Sequence, residues 1–473
     1  MGAVQDLCFW SARELAQAIG ARDVSARELM AAHLSRIAAI NPSINAIVSK
    51  LDDDRCLQLA DDADRRLARG DVVGPLHGLP WAFKDLEDAV GFPATRGSVI
   101  FKDFMPEQDS VLVERLRHAG AIPIGKTNVP EFGMGSHTYN SVYGPTRNPF
   151  DVSKSAGGSS GGAGAALAAG LLPLADGSDL GGSLRNPGAF NNVVGLRPSV
   201  GLVPTAPTAM PFVGFSVKGP MARSVTDAAF LLSVMAGPDP RDPACLPLSV
   251  TDFAGQLDID LSGVRIAWCP DLGGLPVDPR VRTVLEAARQ TFLDLKCQVD
   301  EAAPDFSTVD DIFLTLRRLI SGDKYGALLA QHRQEMKPEA VEEIERGTAL
   351  TAADVMRAMT LHAQFLQKMA AFFERHDVIA CAVSQVPPFD VNVDWPRSVA
   401  GVEMTTYTDW MKSAYWISVT LGPAISVPCG FTPEGLPVGI QLVGPPRREV
   451  DLLQLAYGFE QATRVGDRHP RIG

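Results

Sequence analysis

The chain's apolar positions follow two periods in turn. Residues 11–40, SARELAQAIGARDVSARELMAAHLSRIAAI, carry apolar residues at helical spacing, so the chain is expected to begin with helices. Of the two serine openings there, Ser11 with Glu14 is read as a full capping box and Ser25 with Arg27-Glu28 is not. Short apolar runs follow. LPWAFKD (79–85), AIPIGKTN (121–128), LLPLADG (171–177), VRIAWC (264–269) and DVIACAV (377–383) predict strands. Helical patterns fill the intervals, among them DSVLVERLRHAG and DPRVRTVLEAARQTFLDL. In the latter, Asp278 is the expected N-cap, Pro279 opens the first turn, and Val281, Val284, Leu285, Ala288 and Phe292 share one face.

Strands alternating with helices predict an α/β fold with a sheet covered on both faces. From about 305 to 375 the strand signal gives way to long helical patterns, read as a helical insertion or cap. Residues 423–445, PAISVPCGFTPEGLPVGIQLVGP, restore two strands, and a final helix begins near Glu449. Because strands come from both ends of the chain, one domain is expected over 1–473. Its parts are N-terminal helices at about 10–70, a core at about 71–235, the insertion, and C-terminal strands and helix at about 377–465.

Composition narrows the class. Apolar residues make up 46% and charged residues 21%, as in globular proteins, and no apolar run of about 18 residues exists to span a bilayer. The N-terminus lacks the basic-then-apolar order of a signal peptide, so a cytoplasmic location is expected. Seven scattered cysteines with no C-x-x-C pair suggest reduced thiols and no zinc site. The eight histidines form no H-E-x-x-H, and His137 in GSHTYN reads as a hydrogen-bonded loop residue. No metal or cofactor is expected. The net charge of −12, without a Lys/Arg cluster, argues against nucleic acid and for a small-molecule partner, with a homodimer left open.

Candidate chemistry lies in SAGGSSGGAGAALAAGLLPLADGSDLGGSLRNPGAF (155–190), where Ser159 follows Gly157-Gly158 and Ser183 follows Gly181-Gly182. A helix over 160–170 advances about 17 Å and an extended 171–176 retraces about 20 Å, so the two serine loops can meet at one end of the sheet. A phosphate cradle would need a Lys after the glycines, and Gly161-Gly162 has none. A flexible linker is the plainer reading, but the flanking segments are apolar and periodic. The catalytic reading gives the backbone N–H groups of residues 180–183 an oxyanion to face and makes the serine a nucleophile. No histidine stands beside these loops to serve as its base. A buried, neutral lysine could serve, and Lys84 ends an apolar strand, though a lysine there can also simply reach solvent.

The ordered motifs G-x-P-x-x-x-K-D (78–85), GKTNVPEF (125–132), GGSSGG (157–162) and GSDLGGSLRNP (177–187), with PAISVP and GLPVGIQLVGP near the C-terminus, resemble the amidase signature family from about residue 11 to 460. That resemblance implies the family's mixed, twisted central sheet with helices on both faces, and a Ser, cis-Ser, Lys triad. Ser183 would be the nucleophile, Ser159 the bridging serine after a cis bond from Gly158, and Lys84 the base. Leu180, Gly181, Gly182 and Ser183 would supply the oxyanion hole. Asp179 and Arg185 resemble positions that brace the loop, Gly133 and Met134 stand where the acyl pocket is lined, and Ser160 either joins the triad or caps the next helix. The implied reaction is hydrolysis of a small, aryl or apolar amide without cofactor, with carbamate or ester hydrolysis by the same triad as the alternative. A glutaminase of the glutamyl-tRNA amidotransferase A type is a further reading, but LRRLISGDKYG (316–326) has only the arginine pair of the stretch that such a glutaminase needs. Trp395, Tyr407, Trp410, Tyr415 and Trp416 crowd one segment and read either as core or as the wall of a hydrophobic pocket.

Overall fold

A computed structural model describes residues 7–208, 210–245, 247–248 and 252–472. The chain opens with helices α1 (Ala12–Ala21) and α2 (Ala26–Ile44), each capped reciprocally, by Ser11 with Glu14 and by Ser25 with Glu28. The expectation that Ser25 lacks a capping box is therefore wrong: Glu28 stands three residues on and returns its carboxylate to the Ser25 N–H. Helix α3 (Asp53–Ala68) follows. Strands β1 (Ile47–Val48), β2 (Pro80–Lys84) and β3 (Ile122–Thr127) make a small sheet in the order β1-β3-β2, with β2 and β3 parallel and connected through α4 (Val111–His118).

Helix α5 (Gly161–Ala168) leads to β4 (Ala175–Asp179), which starts four residues later than the apolar run 171–177 suggested. Gly170 turns the chain at φ +69° and Pro173 lacks an N–H for a ladder, so Leu171 to Leu174 are buried as a connection. After α6 (Arg185–Phe190) come β5 (Val194–Arg197), β6 (Val217–Ala222) and α7 (Val225–Met235). Then follow β7 (Arg265–Trp268), α8 (Pro279–Asp294) and β8 (Gln298–Glu301). Where the sequence predicts a helical insertion or cap, three helices follow one another: α9 (Val309–His332), α10 (Pro338–Thr348) and α11 (Ala352–Phe373). Strand β9 (Val378–Ala382), α12 (Lys412–Ser418), β10 (Ala424–Phe431), β11 (Pro437–Val443) and α13 (Glu449–Thr463) follow, and two separate two-stranded pairs, Arg147–Asn148 with Asp151–Ser155 and Ser398–Val399 with Val402–Glu403, lie outside the two sheets.

The large sheet runs β8-β7-β9-β11-β10-β5-β6-β4, parallel across β8, β7 and β9 and antiparallel beyond. It is a mixed sheet. Successive side chains divide between its faces: Ile266, Ala380 and Ile440 join Phe292 of α8 and Phe459 of α13, whereas Ala267, Ile379 and Val443 join Phe313 of α9, Phe365 of α11 and Tyr415 of α12. Helices thus cover both faces. Asp278 caps α8 through the Arg280 N–H, and Val281, Leu285, Ala288 and Phe292 are buried, with Val284 packed beside them. Strands β5, β6 and β8 are not legible from period, because β6 contains Gly219-Pro220 and β8 is an exposed edge without alternation. All seven cysteines are free. No helix among the described residues is long and apolar enough to cross a membrane.

Candidate active site

Strand β2 is buried along its whole length, and Lys84 at its end never reaches solvent. The ammonium is instead surrounded by hydroxyls. Lys84 Nζ donates to Ser159 Oγ at 2.9 Å, Ser160 Oγ at 2.8 Å, Ser178 Oγ at 3.0 Å and the Ser178 carbonyl at 3.3 Å. Burial pushes Lys84 down to about 7, with Lys218 pushing the same way against Glu87, Asp176 and Asp179. Beneath it, Asp176 accepts the Lys84 backbone N–H and the Trp81 indole N–H, and burial raises this carboxyl to about 6.

The two serine loops meet, as their spacing allows: the Ser160 N–H donates to the Ser183 carbonyl at 3.2 Å. The Gly158–Ser159 peptide is cis. A side chain at Gly158 would press on the backbone of Gly135, Ser136 and His137 at 3.0–3.2 Å, so the loop needs glycine there. Ser160 stands at the N-cap of α5, yet its hydroxyl makes no cap bond and is held by Lys84. Ser159 is buried, whereas Ser183 is half-buried at the cavity wall. Among the described residues no hydrogen bond joins these two hydroxyls. Catalytic hydrogen bonds commonly tighten only with substrate bound.

Asp179 and Arg185 are not surface charges. Both are fully buried, and Arg185 donates to Asp179 through Nε at 3.0 Å and Nη2 at 2.9 Å. Asp179 also accepts the N–H groups of Gly182 (2.9 Å) and Leu184 (3.2 Å), which shapes the turn carrying Ser183. The Gly182 N–H is therefore committed inside the protein, while Gly181 and Ser183 have no intramolecular acceptor among the described residues. Arg185 reaches onward to the Ala414 carbonyl and Ser418 Oγ of α12, both at 2.8 Å, and to Gln441 of β11. Burial alone would raise the Asp179 carboxyl, but Arg185 and Arg197 hold it well below the usual carboxylate range.

A cavity of about 370 Å³ opens over Ser159 and Ser183. Leu86, Phe132, Gly133, Met134, Leu180, Val213, Phe313 and Met411 supply its apolar wall, and no histidine among the described residues lines it. Gly133 holds φ +71°, and a Cβ there would stand 2.7 Å from Leu86 and 3.6 Å from Ser159 Oγ. His137 is hydrogen-bonded to the Val391 carbonyl (3.0 Å) and Ser155 Oγ (2.6 Å), and burial pushes it down to about 4. Of the aromatic rings between 395 and 416, none lines this cavity. Trp410 and Tyr415 are buried, Tyr415 stacks on Phe313 at 4.3 Å, and Tyr415 and Trp416 both donate to Asp310 at 2.7 Å. Tyr415 braces Phe313, which lines the cavity, while Trp410 packs edge-on to Phe389 and Trp416 stacks on Phe306.

Ser178 and Lys218 escape sequence reasoning. Ser178 has a legible signal, since in strand geometry it shares a face with Asp176, two residues earlier. Lys218 has none, because its strand cannot be read from period.

The Amidase family profile matches residues 28–453. The chain is 36% identical to an acylamidase of Rhodococcus erythropolis, covering 98% of each sequence. It is 34% identical to the A-type component of glutamyl-tRNA(Gln) amidotransferase from Thermosynechococcus vestitus, covering 97% of this chain and 99% of that one. Among solved structures, a bacterial aryl acylamidase of the amidase signature family superposes with a TM-score of 0.90 at 28% identity, over 97% of this chain and 98% of that one. With the fold, the buried lysine and the two glycine-flanked serines together, the chain belongs to the amidase signature family and is an amide-hydrolysing enzyme.

Proposed function

We propose that the chain acts as a single-domain acylamidase, hydrolysing the C–N bond of a small aryl or apolar amide through a Ser183 acyl-enzyme. The observation that carries this reading is the buried Lys84 side chain within hydrogen-bond distance of Ser159, with Ser159 and Ser183 opening on one cavity that has an apolar wall of Leu86, Phe132, Met134 and Phe313. Neutral Lys84 takes the Ser159 proton, Ser159 takes the Ser183 proton, and Ser183 Oγ bonds to the amide carbonyl carbon. The Gly181 and Ser183 N–H groups, with Leu180 beside them, face the oxyanion, and Gly182 fixes the turn through Asp179. As the C–N bond breaks, the proton returns through Ser159 to the leaving amine, and water then cleaves the acyl ester to the acid. Asp179, Arg185 and Ser160 brace this arrangement, and Gly133 and Met134 line the acyl side. Aryl carbamates and esters fit the same steps.

The kinship with the A-type components of glutamyl-tRNA(Gln) amidotransferases favours a second reading, as a glutaminase that passes ammonia to a partner. Against it, Arg317 of the arginine pair, although it lines the cavity, is already engaged by Glu343 (3.1 Å) and the Tyr407 hydroxyl, and Phe132, Phe313 and Met134 share the lining with it. The test pairs covalent labelling with turnover. A fluorophosphonate should modify Ser183, Ser183→Ala should abolish turnover with the fold intact, and a nitroacetanilide should exceed glutamine in kcat/KM. Label on Ser159, or glutamine preferred tenfold, overturns the proposal; about 1.4 kcal/mol of transition-state discrimination separates these substrate outcomes.

A further inference from the structure

Lys218 stands directly across the antiparallel ladder from Ser178, the residue whose hydroxyl and carbonyl both accept from Lys84 Nζ. Cross-strand partners project from the same face, so β6 directs a second lysine toward the first. Lys218 is not a solvated surface lysine: its side chain is 17% exposed, lines the cavity, and is paired with Glu87, which is 3% exposed. Glu87 follows β2, its N–H donates to the Lys84 carbonyl at 2.9 Å, and its carboxylate also accepts from Ser110 Oγ at 2.9 Å. Glu87 therefore holds Lys218 in place while remaining covalently close to Lys84.

We infer that Lys218 is a positioning residue acting through Lys84: held by Glu87 opposite Ser178, it aims its amino group at the hydroxyl cluster around Lys84 and disfavours a second ammonium there. The inference rests on the proposed role of Lys84 as base. The other charges facing Lys84 are Asp176 and Asp179 of β4 and Glu87 itself, all negative and all favouring its protonated form. Lys126 of β3 donates to the Glu87 carbonyl and faces Asp85 at 3.8 Å. Burial removes Lys84 from water, and Lys218 is the positive neighbour that adds to this effect.

The experiment is the pH dependence of kcat/KM for an anilide, measured on wild type, Lys218→Met, Glu87→Gln, the double variant Lys218→Met/Glu87→Gln, and Lys84→Ala. Lys218→Met should move the rising limb upward by about one pH unit, which at pH 7 is about a fivefold loss that vanishes near pH 9.5. Glu87→Gln should move the limb down. Should Lys218→Met fail to fold because Glu87 is left buried and unpaired, the double variant removes both charges and should still show an upward but smaller shift. A purely structural role lowers activity at every pH and leaves the midpoint in place, and that result overturns the inference. Activity surviving in Lys84→Ala instead overturns the base assignment on which the inference stands.

Discussion

The Asp179 carboxylate and the Arg185 guanidinium meet through two hydrogen bonds, of 2.9 and 3.0 Å, with neither side chain reaching solvent. The pair lies on either side of the Ser183 turn, and Asp179 also binds two N–H groups of that turn, so one carboxylate fixes the loop. Asp179→Asn would leave Arg185 and Arg197 buried without their counter-charge, and a loss of about 3–5 kcal/mol is expected at pH 7. The folded carboxyl titrates below its unfolded value of about 3.9. Its contribution is therefore present above about pH 4 and is lost as pH falls toward the folded value. Urea denaturation at pH 7 and pH 3 should show the gap between wild type and variant narrowing in acid; an equal gap at both would mean the carboxylate is not what matters.

The base should announce itself in the pH–rate profile. Lys84 is pushed down to about 7, so kcat/KM should rise through a midpoint near that value as the amine becomes neutral. Lys84→Ala should be nearly inactive. A histidine also titrates in this range, and the alanine variant separates the two: a profile of unchanged shape in active Lys84→Ala would rule the lysine out.

Gly182 has φ +112°, and a Cβ there would overlap Ala414 of α12. The methyl group has no flexible neighbour to displace, so Gly182→Ala should lower stability by about 1–3 kcal/mol and reduce kcat by displacing Ser183. Thermal unfolding and steady-state kinetics together check this. Loss of kcat with an unchanged unfolding temperature would locate the effect elsewhere.

Phe313 forms part of the cavity wall, whereas Trp416 does not line the cavity, stacks on Phe306 and holds Asp310. Phe313→Ala should reduce kcat/KM for an anilide by about 1–3 kcal/mol of lost contact, roughly 10- to 200-fold. Trp416→Phe should weaken folding and leave the ratio of anilide to acetamide turnover unchanged. Substrate ratios measured for both variants test the division between wall and support.

Much of the site is legible in the sequence because its geometry is local. Glycines that open a turn, the spacing of Ser159 and Ser183, and a lysine ending an apolar strand are all properties of short segments, but β4 begins four residues later than its apolar run suggests, the residues alone leave Lys84 free to reach solvent, and the triad roles come from the resemblance of the ordered motifs. The α8 cap and the helical insertion are legible for the same reason. Long-range contacts decided the rest. That Lys84 is enclosed by Ser159, Ser160 and Ser178 depends on β2, α5 and β4 converging from different stretches of chain. That Ser160 binds Lys84 and does not cap α5 reflects competition between two acceptable partners, which sequence spacing leaves open. The crowded aromatics became packing, with Tyr415 against Phe313, because their exposure is set by the packing of α9 on α12, and burial area attracts aromatic rings whether or not a ligand lies beyond. Lys218 was invisible for the same physical reason: strand register, which only the paired β4 and β6 define, puts it opposite Ser178.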